Sequence, residues 1–251
     1  MTSFRVNICN VEIDNIRIGD VLSAADSFLS DGGNHYIVTP NVDHIVKLQQ
    51  DTEFQSIYKN ADLVLADGVP LIWASNFLGR PLKEKISGSD LFPELCEWCA
   101  RKGYRVFFLG GRPGAAQKAA ELLKGEIPGL EIAGCYAPPY GFHKIPHQNA
   151  KTVEMVRTAR PDVLLVGLGA PKQEKWIAKH LEELNIPLSI GIGVSFEFKA
   201  GVVKRAPIWM QRNGLEWFWR LLMEPRKLWR RYLVDDIKFF KLVLKQKLRG
   251  N

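Results

Sequence analysis

Six short apolar segments recur along this chain, most of them followed by an amphipathic stretch, and this rhythm is what most limits the fold. They are His35–Thr39, Asp62–Ala66, Arg105–Gly110, Glu131–Tyr136, Asp162–Gly167 and Leu188–Gly193. Each has strand length and is partly β-branched or aromatic. Helical patterns span Val42–Gln50, Val69–Leu78, Pro113–Leu123, Gln148–Ala159 and Pro171–Leu184, and a further one, Asp90–Lys102, precedes the third strand. Near-continuous apolar strands separated by such helices predict a mostly parallel sheet with helices on both faces, a Rossmann-like α/β fold. A small hairpin (Val6–Cys9, Val11–Ile13) and a helix (Ile18–Leu29) are expected ahead of it. Sheets of this kind bind ligands at the carboxyl ends of their strands.

The last 48 residues, 204–251, differ from the rest. They carry thirteen Lys/Arg against four Asp/Glu, so the preceding 203 residues sum to −2 within a total of +7. Four of the seven tryptophans, Trp209, Trp217, Trp219 and Trp229, lie here. Glu224-Pro225 interrupts the helical pattern, and a last helix is expected over Arg226–Leu248, apolar on one side and cationic on the other. We therefore divide the chain into a core, 1–203, and a basic helical appendage, 204–251. Such an appendage suits an anionic surface, either membrane lipid or nucleic acid. Its aromatics fall on an apolar stripe with Leu and Ile, which suits lipid or core better than stacked bases. An oligomerisation helix, and hence a homo-oligomer, is a third reading.

Several classes of chemistry lack support. The N-terminal stretch has neither a basic region nor an apolar one, so no signal peptide is expected there. No apolar run approaches the ~20 residues that span a bilayer. Cys96-Glu-Trp-Cys99 has redox or metal spacing but sits within a helical apolar pattern and has no second pair, so packing of reduced thiols is expected. The five histidines show no metal-ligand spacing, there is no Asp-x-Asp, and no Gly-x-Ser-x-Gly elbow appears. No metal site is expected.

Strand ends hold the candidate site residues. Thr39 and Asn41 flank Pro40 after the first core strand, and Asn41 is also a natural N-cap. Asp67 closes a strand before Gly68, where a carboxylate can act as general base or as a cap. The turn at Gly110-Gly111 leads into a helix and can cradle a phosphate on backbone N–H groups, although it fits neither dinucleotide nor P-loop patterns. Gly167-Leu-Gly169 leads into a Pro-started helix with Lys172, Gln173 and Glu174 in its first turn; a cation at that end calls for an anion, such as a diphosphate. Glu197 can hydrogen-bond a base or ribose, or serve as a buried cap. Tyr140 lies in a Pro-rich loop and can cover a base by stacking.

Taken together, these strings resemble the WecG/TagA/CpsF glycosyltransferases (family 26). The matching pieces are Thr39-Pro-Asn-Val42, Ala66-Asp-Gly-Val-Pro70, Gly88-Ser-Asp-Leu91, Phe108-Leu-Gly-Gly111, Gly167-x-Gly-x-Pro-Lys-Gln-Glu174, Arg205-Ala-Pro-x-Trp209, Gly214-Leu-Glu-Trp217, Arg220-Leu-Leu-x-Glu-Pro225 and Arg231-Tyr-Leu233. They run in order over nearly the whole chain. The resemblance implies an inverting, metal-independent transferase without a cofactor. It would move a sugar, typically N-acetylmannosamine, from a UDP-sugar to undecaprenyl-diphosphate-linked N-acetylglucosamine, as in wall teichoic acid linkage-unit or similar surface polysaccharide synthesis. Glucose, glucuronic acid and N-acetylmannosaminuronic acid are alternative donor sugars. The resemblance makes Asp67 the base and puts Thr39, Asn41, Lys85, Gln173 and Glu197 on substrate. Lys85 stands where the family often has Arg, and Glu197 where it often has Asp. It assigns Arg220, Arg226, Arg230 and Arg231 to the lipid diphosphate and membrane, on a protein held peripherally at the cytoplasmic face of the plasma membrane. A nucleic-acid-binding protein is the rival from another class.

Overall fold

The computed structural model describes residues 4–250, with Lys227 in its backbone alone. Along the chain run β1 (Arg5–Ile8), β2 (Val11–Asp14), α1 (Ile18–Ser30), β3 (His35–Val38), α2 (Val42–Leu48), α3 (Thr52–Lys59), β4 (Leu63–Val64), α4 (Val69–Phe77) and α5 (Gly88–Lys102). Then come β5 (Arg105–Gly110), α6 (Ala115–Glu126), β6 (Glu131–Tyr136), α7 (Pro146–Ala159), β7 (Val163–Gly167), α8 (Lys172–Leu184), β8 (Leu188–Gly191) and α9 (Ser195–Lys199). The tail holds α10 (Ile208–Arg212), α11 (Glu216–Met223), α12 (Pro225–Arg230), a π-helical turn (Arg231–Asp235) and α13 (Ile237–Arg249).

The chain forms two compact units, one made of 18–38 and 88–203, the other of 1–17, 39–87 and 204–251. The first unit bears out the α/β expectation. Its strands pair in parallel in the order β3-β8-β7-β5-β6. Every residue of β7 and β8 is buried, which is why these segments read as unbroken apolar runs. Phe92 of α5, Phe108 of β5 and Phe196 of α9 form an aromatic cluster with centroids 5.0–5.4 Å apart. Cys96 and Cys99 are buried free thiols inside α5. Burial pushes the Cys99 thiol up to about 12, so it holds its proton at neutral pH.

In the other unit β1 and β2 form the expected hairpin, from Arg5 opposite Asp14 to Ile8 opposite Val11. Strand β4 is shorter than its apolar sequence suggests. The Val64 N–H goes to Asp14 Oδ2 at 2.8 Å, a side-chain acceptor supplied by β2. Helix α3 was not anticipated; Asp51 starts it by accepting the Phe54 N–H at 2.9 Å. The single last helix expected over Arg226–Leu248 is three pieces. Pro225 occupies the first turn of α12, and the Asp236 N–H reaches back to Arg231 O at 2.8 Å, the i→i+5 bond of a π turn. Residues 204–251 pack within this unit. Gly214, at φ +68°, lets the chain lie so close to Trp73 that a Cβ would fall 2.8 Å from the indole. Trp219 donates its indole N–H to Lys204 O at 3.0 Å.

Candidate active site

The unit that holds the tail gathers five predicted residues around one turn. Asn41 caps α2, its side chain accepting the His44 N–H while the His44 ring faces the Asn41 N–H. Thr39, just before it, is buried. The Asp67 N–H donates to Pro40 O at 2.8 Å, which fixes the half-buried Asp67 against the Thr39-Pro-Asn41 turn. Next along the same segment, the Ile86 N–H donates to Ala66 O at 2.8 Å, bringing the neighbouring Lys85 to the Asp67 end of its strand. From the tail, Arg231 Nη2 donates to Asn41 Oδ1 at 3.2 Å. The His44 N–H and Arg231 take up the two lone pairs of the Asn41 amide oxygen, so a substrate role for Asn41 falls to its Nδ2–H donors.

Arg231 also meets carboxylates. It lies 3.6 Å from Asp43 and 3.9 Å from Asp236, while Lys47 holds Asp43 at 2.7 Å one turn along α2. Burial alone would raise Asp43, but Arg231 and the Lys47 hydrogen bond outweigh it and hold this carboxyl below its ordinary value. Burial pushes Asp236 up to about 6, with Arg231 opposing and the Asp43 charge adding. Asp43 and Lys47, on one face of α2, were readable as an i,i+4 pair. The part played by Asp236 was not, because nothing in its sequence signals a π turn.

The Asp236 shift has a sign. The folded chain keeps this proton to higher pH than the unfolded chain does, so the stability it contributes is full below about pH 4 and is lost as pH rises through 6. Asp236→Asn should therefore be more stable than the parent at pH 7.5, by about 1 kcal/mol after allowing for solvent screening. The gap should close below pH 4. Urea unfolding midpoints at the two pH values check this; a less stable variant at pH 7.5 contradicts it.

The four tail arginines do not act alike. Burial pushes the Tyr232 hydroxyl up, and Arg220 and Arg231 both oppose that shift. Arg220 lies 3.9 Å from Glu224. Arg226 and Arg230 are exposed.

The other unit holds the glycine turns. Gly110 sits at φ +105°, where a Cβ would meet Gly167 O at 2.6 Å, so only glycine lets the ends of β5 and β7 meet. The phosphate cradle expected at this turn is largely occupied by the protein itself. The Gly111 N–H donates to Gly167 O at 2.8 Å, and the Arg112 N–H to Glu197 Oε1 at 3.1 Å. Glu197 thus caps this turn, while its Oε2 is buried without a hydrogen-bond partner among the described residues. Lys172, at the start of α8, lies 4.5 Å over the ring of Tyr140, which is 91% exposed. These two predicted residues therefore come together, the ring face offering the cation a counterpart.

Gln173 is buried and works as a latch. Its Oε1 accepts the N–H groups of Gly169 at 3.1 Å and Gly193 at 3.2 Å, and its Nε2 donates to Glu174 Oε1 at 2.9 Å. It ties the turn after β7 to the turn after β8. Gln173→Leu would strip two part-buried donors of their buried acceptor, at about 1–2 kcal/mol each. We expect a loss of about 3 kcal/mol in urea unfolding, with a rise in KM. Parent-like stability would show the latch to be dispensable.

A parallel α/β unit with glycine turns at its strand ends, in one chain with a unit that gathers a carboxylate and cations at a strand end, has the equipment of a group-transfer enzyme for anionic substrates. The chain belongs to the glycosyl transferase WecG/TagA/CpsF family, whose model matches residues 6–251. It is similar to N-acetylglucosaminyldiphosphoundecaprenol N-acetyl-beta-D-mannosaminyltransferases of several bacteria. With that of Bacillus spizizenii it shares 34% identity over 82% of this chain and 78% of the relative. With that of Bacillus subtilis strain 168 it shares 32% over 73% and 69%. With that of Staphylococcus aureus strain MW2 it shares 28% over 90% and 87%.

Proposed function

We propose that this glycosyltransferase moves N-acetylmannosamine from a UDP-sugar to undecaprenyl-diphosphate-linked N-acetylglucosamine, inverting the anomeric centre. The observation that carries this reading is the hydrogen bond from Asp67 N–H to Pro40 O, because it ties the Asp67 main chain to the turn that carries Asn41, which Arg231 also contacts. The names of the relatives support the acceptor and the transferred sugar.

Asp67 takes the proton from the acceptor hydroxyl as its oxygen attacks the anomeric carbon, and the bond to UDP breaks on the opposite face. Arg231 and Lys85 answer the acceptor diphosphate in the same unit. Protein cations meet the charge that develops on UDP and do the work of a metal; within the α/β unit the candidate is Lys172, beside Tyr140 at the start of α8. The committed N–H groups at Gly111 and Arg112 move the diphosphate role toward Lys172. Glu197 Oε2, an acceptor without a partner, fits a ribose or base donor.

UDP release tests the reading over a panel of UDP-sugars with a short-chain lipid-diphosphate N-acetylglucosamine acceptor. UDP-N-acetylmannosamine should give the highest kcat/KM, and release should require acceptor. A preference for UDP-glucose or UDP-glucuronic acid would overturn the donor assignment.

Membrane association is part of the proposal. Among the described residues no helix is long and apolar enough to cross a bilayer. The tail nevertheless exposes Trp217, Phe218, Leu222, Trp229, Phe240 and Leu244. Together with its cations these suit the interface of an anionic leaflet. Replacing Phe240 and Leu244 with Ser should abolish flotation with anionic liposomes and leave the unfolding midpoint unchanged. Flotation that persists would take these two side chains out of the membrane contact, and a nucleic-acid mobility shift by a parent that does not float would favour the nucleic-acid reading.

A further inference from the structure

A cavity of about 370 Å³ lies in the unit that holds the tail, against the far end of α2 from Asn41. Gln49, which ends α2, lines it, and Asn41, which starts α2, is about 12 Å away along the helix axis. The cavity is therefore separate from the turn that carries Asp67.

Its walls are tied down. Gln246 of α13 accepts the Cys9 N–H at 2.7 Å and donates to Asn7 O at 3.1 Å, and Gln49 Nε2 donates to both Cys9 O and Ile45 O at 2.9 Å. These neutral amides satisfy the hairpin turn and the end of α2, so no cation is needed for that purpose. Asn7 Nδ2 is likewise engaged, with Glu12.

Three cations nevertheless line the cavity: Arg80 from the segment after α4, and Lys245 and Arg249 from α13. Among the described residues no carboxylate lines it. An adjoining recess of about 220 Å³ shares Gln49, Leu242 and Lys245 and adds Lys238 and Lys241. The favourable end of the α13 dipole accounts for Arg249. It does not account for Arg80 or Lys245. Like charges gathered in a recess repel one another, and an anion there would offset the repulsion. Arginine offers a fork that fits phosphate oxygens. The volume equals roughly a dozen water molecules, enough for a phosphate bearing a small alcohol.

The helix that supplies these cations indicates the source of the phosphate. Ile237, Phe240, Leu244 and Leu248 are exposed, and each directly precedes one of Lys238, Lys241, Lys245 and Arg249. At 3.6 residues per turn the basic row lies about 100° around α13 from the apolar row. A headgroup phosphate in the cavity would leave its acyl chains beside the apolar row. We propose that this cavity binds the phosphate of an anionic phospholipid headgroup. It rests on the membrane reading of the tail, and it adds residues of the hairpin turn and the post-α4 segment to the lipid-binding surface.

The test uses the full chain and vesicles of phosphatidylcholine doped with phosphatidylglycerol or, to the same surface potential, with oleate, whose headgroup is a carboxylate. The parent should bind the phosphatidylglycerol vesicles more tightly. Arg80→Gln and Lys245→Gln should each weaken that binding by about fivefold, and together bring it to the level of the oleate vesicles. Lys118→Gln and Lys151→Gln, exposed controls in α6 and α7, should change neither. The Arg80→Gln/Lys245→Gln protein should keep parental turnover on a short-chain soluble acceptor, which shows that it folds. Equal losses on both vesicle types, or equal losses in the controls, would reduce the cavity to general surface charge and overturn the proposal. Thermal stabilisation by inorganic phosphate that needs Arg80 and Lys245, without any preference between vesicles, would overturn lipid as the source. A parent that binds neither vesicle would overturn the membrane reading itself.

Discussion

Asp67→Asn should lower kcat by about 10²–10⁴-fold and leave the fold intact. The substitution keeps the size of the side chain and the backbone hydrogen bond to Pro40 O, so the turn stays in place. It removes the group that takes the acceptor proton. A base acts in the transition state, so KM for both substrates should change little. Steady-state UDP release beside a urea unfolding curve gives both quantities. A kcat within tenfold of the parent, with the fold unchanged, would remove Asp67 from the role of base.

The second large effect is expected at Arg231. Its guanidinium serves Asn41, Asp43 and Asp236 together. Arg231→Gln leaves the buried Asp43 with its Lys47 ion pair, and removes the cation that most opposes the effect of the Asp43 charge on Asp236. Removing one partner of a buried pair costs about 3–5 kcal/mol, but Arg231 is part-exposed and screened, so about 1–3 kcal/mol is expected. The loss has a pH signature. Arg231 helps to hold Asp43 below its ordinary value, a contribution present above the unfolded carboxyl range and lost as pH falls through the folded pKa. The deficit of the variant should therefore be larger at pH 7 than at pH 3. Arg231→Lys keeps the charge without the fork, so it should recover part of the stability and little of the acceptor kcat/KM. Equal loss of stability at both pH values would show that the Asp43 charge is not what Arg231 serves.

The sheet was legible because β7 and β8 are buried on both faces and so read as pure apolar runs. The length of β4 was not, and its Val64 N–H bonds the side chain of Asp14, 50 positions away. Thr39, Asn41 and Asp67 could be chosen singly from their places after strands. The bond that joins them runs from residue 67 to residue 40 and has no local signature. The Gly110-Gly111 turn read as a phosphate cradle because free N–H groups and committed ones look alike in a sequence; here Gly167 O takes the Gly111 donor. Gln173 read as a substrate contact; its hydrogen bonds to two glycine turns and Glu174 join segments that lie far apart in the sequence or in no recognisable pattern. The cationic tail was plain from its charge. That one of its arginines reaches Asn41 depends on the π turn at Arg231–Asp235, which helical periodicity does not foretell.

The central claim is that Arg231 of the tail and the Asn41 turn form one acceptor site beside Asp67. A double-mutant cycle tests it most directly, with kcat/KM for the lipid-diphosphate acceptor measured in the parent, Asn41→Ala, Arg231→Gln and the double variant. Groups that work as one site should be non-additive, with a coupling of about 1 kcal/mol or more. Losses that simply add, to within about 0.5 kcal/mol, would contradict a shared site.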